Sequence, residues 1–155
     1  MNYLSIEQSK VPEIVENLNK ILANYQIHYQ KLRAFHWNVN GKHFFELHMK
    51  FEELYKDAIL KIDEVAERIL TLQQQPVSTL KQYLEISTIK EVHDFSSELK
   101  MVEEVVNDFN LLLSMERACM KLTSNADDEG TTEMLSRFIA HKEKLSWMFF
   151  AWLKN

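Results

Sequence analysis

The chain has 155 residues, 46% of them apolar, and only two glycines and two prolines. That is enough for one ordinary domain with its own core, and so little turn chemistry argues for long helices with few breaks. A net charge of −5 opposes nucleic-acid binding through phosphate neutralisation, the single Cys119 excludes an internal disulfide, and the longest apolar run, residues 147 to 153, is too short to cross a bilayer.

No basic start followed by an apolar run opens the chain, so no secretory signal is expected, and the lone cysteine suits a reducing cytoplasm. Pro12 fits the first turn of a helix. Ile14, Leu18, Ile21, Leu22, Tyr25, Tyr29 and Leu32 follow at spacings of three and four, which carries that helix to about Val39. Gly41 can end it in a left-handed conformation, turning the chain so that His36 and His48 approach. A second helix is expected over about residues 43 to 72, stopped ahead of Pro76, and a short extra one over residues 78 to 86. Thr88 and Glu91 form a candidate capping box for a third helix with the stripe Val92, Phe95, Leu99, Val102, Val106, Phe109 and Leu113, ending near Leu122. The polar residues 123 to 132 are expected as a turn. Leu135, Phe138, Leu145, Phe149 and Trp152 mark the fourth long helix. Short loops then make two antiparallel hairpins, and the long connection crosses between them: an all-α four-helix bundle, one domain over residues 1 to 155.

The second helix carries the chemistry. Measured from His48 at about 100° per residue, Glu52, Asp63 and Glu67 lie near 40°, 60° and 100°, one stripe. Imidazole with carboxylates suits iron, zinc or manganese. Glu52 and Asp63 are nevertheless roughly 16 Å apart along the helix, beyond the reach of one ion. A second copy running antiparallel across a two-fold axis supplies the missing half, because 48 with 67 and 52 with 63 both sum to 115, as a self-complementary contact requires. The axis then falls between positions 57 and 58 and makes two equivalent mixed sites. The competing reading is a solvated charged face. Against it, Asp63 and Glu67 are flanked by Ile62, Val65, Ala66 and Ile69, and acids four apart on a helix repel without a cation. A di-metal centre inside one subunit would use Glu-x-x-His pairs on facing helices, and none is present.

His36-Trp37, then LHMKFEELY from Leu47 and IDEVAER from Ile62 resemble the signature of the Dps family of mini-ferritins, most strongly over about residues 33 to 70. The resemblance implies a ferritin-like fold, a twelve-subunit shell, and a ferroxidase that oxidises and stores iron, usually with hydrogen peroxide rather than oxygen, protecting against oxidative damage. It implies that His36 and His48 of one subunit, with Asp63 and Glu67 of its two-fold neighbour, bind Fe(II), that Glu52 assists the second iron, and that Trp37 takes up oxidising equivalents. Acids at the start of the last helix, Asp128, Glu129 and Glu133, correspond to pores that draw iron inward. Some family members grip DNA with a lysine-rich tail; here the first eleven residues hold only Lys10, so DNA binding is not expected. The alternative is a non-enzymatic shell, or a DNA- or surface-binding module whose metal ligands are incidental. His28, His43, His93 and His141 are expected as surface or internally satisfied histidines, Trp147 and Trp152 as core or interface residues, and Cys119 as a small apolar residue on a packed helix.

Overall fold

The computed structural model describes residues 1–154. A single 3-10 turn precedes five helices: α1 (Val11–Asn38), α2 (Phe44–Thr71), the short α3 (Leu80–Ile86), α4 (Glu98–Asn125) and α5 (Glu129–Leu153). α1 packs against α2 and α4 against α5 as hairpins, α1 and α4 join the two, and α3 lies on α1. This is the ferritin-like arrangement with one long crossover. Among the described residues no helix is long and apolar enough to cross a membrane.

Two apolar clusters fill the bundle. One, around Leu18, Ile21, Val65, Ile69, Leu112 and Leu135, lies toward the far end. The other, with Phe35, Phe51, Val102, Phe109 and Phe149, sits behind the α1–α2 turn. Phe35 and Phe51 are fully buried with ring centroids 5.6 Å apart, so they hold the end of α1 against the start of α2.

That turn is braced from α4. Gly41 has φ +123°, and a Cβ there would come within 2.8 Å of the Glu98 carboxylate, which accepts from the His43 amide at 3.3 Å and its Nδ1 at 2.7 Å. Only glycine both adopts this backbone conformation and leaves room for the carboxylate.

The third long helix begins at Glu98, not at the expected Thr88–Glu91 box; Ser97 caps it by accepting from the Lys100 amide. The reason is Asn24, buried on α1, whose Oδ1 accepts from the Thr88 and Ile89 amides and from the Ser87 hydroxyl. Those amides are thereby committed to an irregular connection, though Val92 and Phe95 still pack against the second cluster. The capping box forms instead at Thr79 and Gln82, opening α3. α4 also continues to Asn125 and α5 starts at Glu129, so the expected ten-residue turn shrinks to residues 126–128.

Candidate functional site

His36 lies in the last turn of α1 and His48 in the second turn of α2. Their rings stack with centroids 3.8 Å apart and 17° between planes. Each Nδ1 lies 2.7 Å from the other residue's backbone carbonyl. A carbonyl oxygen can only accept, so each imidazole carries a proton on Nδ1 and turns Nε2 away from this contact as the atom available to a ligand. Fixing the tautomer through the other ring nitrogen is how metal-ligating histidines are oriented. Phe44 stacks on His48 at 5.0 Å, and Tyr55 and His36 meet in a T-shaped contact at 5.5 Å; sequence reasoning missed both supporting rings, although Tyr55 closes the quoted LHMKFEELY run.

Glu52 stands half-exposed beside this pair. Lys56, 2.9 Å away, holds its carboxyl below the usual range, and the two imidazoles act in the same direction. Asp63 and Glu67 are exposed further along α2. Neither makes an ion pair among the described residues, although α2 is otherwise laced with Lys50–Glu53, Lys56–Glu52 and Lys61–Asp57 pairs. One copy therefore brings His36, His48 and Glu52 into one neighbourhood and leaves Asp63 and Glu67 apart from them. Among the described residues, no three His, Cys, Asp or Glu side chains of a single copy gather closely enough to hold a metal ion.

The same arc of α2 also presents large apolar side chains to solvent: Phe45 is 81% exposed, Met49 60%, Ile59 46% and Leu70 55%. Placed on the helical wheel, all four fall within the roughly 100° occupied by His48, Glu52, Asp63 and Glu67. Ala58, at the level of the expected axis, points into its own core at 3% exposure. At that height the exposed residues are Lys56, Ile59 and Leu60.

The chain matches the ferritin-like domain family over residues 15–155. A Dps protein from Vibrio cholerae O1, described as a member of a broad superfamily of ferritin-like diiron-carboxylate proteins, superposes with a TM-score of 0.95 at 42% identity, covering 99% of this chain and 96% of that one. The chain belongs to the Dps family of mini-ferritins. The Dps from Bacillus brevis superposes with a TM-score of 0.91 at 43% identity over 95% of this chain and 99% of its own. The DNA protection during starvation protein 2 of Bacillus anthracis is 42% identical, over 92% of this chain and 98% of its own. Dps membership makes iron storage and stress protection the functional class, as the ferritin-like resemblance implied.

In this Dps chain the bundle centre, where other di-iron bundles place their metal, is occupied by lysines. Glu116, fully buried, accepts from the Tyr25 hydroxyl at 2.5 Å and faces the Lys142 ammonium at 3.1 Å. Asp108 lies 2.9 Å from both His28 Nδ1 and Lys31 Nζ. Lys61 pairs with Asp57 beside His141. Burial pushes the Glu116 carboxyl up and the Lys142 ammonium down from their ordinary ranges, each charge restraining the other's shift. Ammonium groups sit where cations would have to bind. Periodicity carries no signal for this, because a lysine on an apolar stripe reads as an interruption.

Of the remaining histidines, His28 is buried and bonded, His43 holds Glu98, His141 is half-covered beside Lys61, and His93 is exposed. Burial pushes the Cys119 thiol up to about 12, which makes it inert. Trp37 is 59% exposed under the Arg33 guanidinium, 4.9 Å away. Trp152 is partly buried and donates to Glu46, whereas Trp147 is exposed.

The expected pore acids divide. Asp128 is buried: it caps α5 by accepting from the Thr131 amide and hydroxyl, and pairs with Arg68 at 2.6 Å. Its carboxylate is spoken for inside its own subunit, so it is withdrawn as a pore-lining group and serves to pin α5 to α2. Gly130 permits this, since a Cβ there would come within 2.9 Å of the Arg68 guanidinium. Glu129 is exposed, and Glu133 is exposed while paired with Arg137 at 2.6 Å.

Proposed function

We propose that this protein is a ferroxidase and iron store, a homododecameric hollow shell of single-domain subunits working in the cytoplasm. Fe(II) binds where the Nε2 atoms of His36 and His48 from one copy meet Asp63 and Glu67 from a copy related by a two-fold axis, with Glu52 assisting the second iron. The observation that carries this reading is the reciprocal Nδ1-to-carbonyl pinning of the two histidines, which fixes both rings with Nε2 as the remaining ligand atom and too few same-chain ligands to complete a site.

The exposed apolar residues support the same antiparallel register. Phe45 and Leu70 sum to 115, like the two ligand pairs, so the register that joins His48 to Glu67 also covers Phe45 with Leu70. An apolar stripe interleaved with ligands is a surface to be covered, and a two-fold contact covers both copies at once.

Anionic oxygen ligands stabilise Fe(III) more than Fe(II), because the harder, more highly charged ion gains more from them. Two Fe(II), one hydrogen peroxide and two waters give two ferric oxyhydroxide units and four protons. Consuming iron and peroxide together removes the reactants of hydroxyl radical formation. Glu129 and Glu133, with Asp128 excluded, are the acids proposed to focus Fe(II) at the entry pores.

The test is anaerobic Fe(II) loading of material of known assembled mass, followed by peroxide. Saturable binding before oxidation and ferric absorbance in proportion to peroxide are expected. Binding that persists in chains held as monomers would refute the shared site.

A further inference from the structure

Two cavities meet at one trio of side chains. Asp57 and Lys61 on α2 and His141 on α5 line an inner cavity of about 10 Å³, shared with Tyr25, His28 and Lys142, and also an open cleft of about 360 Å³ shared with Glu64 and Arg137. The inner space is about the size of one water. The trio is therefore the wall between the bundle centre and solvent. Lys61 is buried, whereas the His141 side chain is 44% exposed, so the ring is the part of that wall with room to leave. On the wheel of α2, Glu64, Asp57 and Lys61 lie about 160°, 180° and 220° from His48. They fall outside the arc proposed to meet a second copy, and a two-fold contact there leaves the cleft open.

The bonding fixes the charge state that closes the wall. Lys61 Nζ, an ammonium that only donates, lies 3.0 Å from His141 Nδ1 and also pairs with Asp57. Nδ1 is thus the acceptor, and the closed imidazole is neutral with its proton on Nε2. Asp57, 3.6 Å from Nδ1, is beyond hydrogen-bond reach.

We propose that His141 is an acid-operated latch on the α2–α5 seam: on taking a proton from solvent, its ring leaves Lys61 for the cleft and admits water to Tyr25 and Lys142. Protonation turns Nδ1 into a donor facing another donor. It also adds a cation among Lys61, Lys142 and Lys144, with Asp57 the one acid that offsets them at the ring. The other neighbours are committed: Glu64 to Arg137, His28 on α1 to Asp108 on α4, and Tyr25 on α1 to Glu116 on α4. Glu116 Oε2 is buried without a hydrogen-bond partner among the described residues, so water arriving behind Lys142 finds an acceptor there. Burial and Lys61 hold the closed imidazole below its usual range, and the open form, with the ring in water, takes the proton first. Below about pH 6.5 each unit of pH favours opening by about tenfold, until the closed form is protonated as well. The latch asks nothing of the iron site, and its failure leaves the shared-site reading standing.

The experiment is amide hydrogen exchange by mass spectrometry on the full-length protein, its assembled mass confirmed at each pH, from about pH 7.5 to about pH 5 with rates corrected for intrinsic exchange. Peptides covering residues 137–145 and 54–62 should lose protection by about tenfold or more across the range, while those covering residues 14–22 hold theirs. His141→Gln keeps an acceptor for Lys61 but cannot charge, and should stay protected throughout. His141→Lys, charged at every pH, should show near pH 7.5 the exchange that the wild type reaches only in acid; if it does not assemble, His141→Gln alone decides. Wild-type protection that is flat over the range, the same acid-induced loss in His141→Gln, or an equal loss in the peptides of residues 14–22 would overturn the latch.

Discussion

Subunits carrying His48→Ala and subunits carrying Glu67→Ala should each be nearly inactive alone, yet recover activity when refolded together. The magnitude follows from the two-fold geometry. Random pairing at equal amounts makes about half of the dimers mixed. In a mixed dimer, the site built from His48 of the Glu67→Ala chain and Glu67 of the His48→Ala chain is intact, and the other site lacks both. About one quarter of all sites is therefore restored. A metal held within one chain predicts no recovery. The converse mixture sharpens the contrast: wild type with the double variant keeps about one quarter of its sites if they are shared, and about one half if they are not. The assay is the initial rate of ferric absorbance after anaerobic Fe(II) loading. It should be run on shells confirmed near 221 kDa, the mass of twelve 18.4 kDa chains. No recovery in shells of that mass refutes the sharing of ligands.

Other outcomes can be checked separately. Glu116→Gln leaves the buried Lys142 ammonium without its counter-charge and should cost about 3–5 kcal/mol, read from the urea midpoint, whereas Glu116→Leu with Lys142→Met should restore most of the loss or exceed it. Burial and Lys61 hold the His141 imidazole below its reference value of 6.5. The unfolded chain takes up that proton first, so this contribution to stability is present above about pH 6.5 and is lost as pH falls through the folded value; His141→Gln should flatten that part of the urea-midpoint profile. Cysteines placed at positions 45 and 70 should cross-link two copies under mild oxidation, and failure to do so in assembled shells would contradict the register. With net charge −5, no shift of plasmid in a low-salt gel is expected.

The helices and the outward stripe of α2 were legible from residue spacing, because helical periodicity is a local property: each side chain's direction follows from its number along the chain. The same arithmetic picked out His48, Glu52, Asp63 and Glu67, whose separation along the helix is the reason the proposed site is one shared between two copies. Local pattern could not settle which of two capping sequences would be used. Thr88 lost to Ser97 because Asn24, sixty-odd residues away, claims the Thr88 and Ile89 amides. Nor could it tell that Asp128 turns inward to Arg68 while Glu129 turns outward, since both are acids at a helix start and only the packing of α5 on α2 separates them. The mutual pinning of His36 and His48, the contact of His141 with Lys61 and the lysines at the bundle centre likewise depend on side chains from different helices meeting. Such meetings are decided by how the helices pack, a long-range outcome that spacing along one helix does not encode.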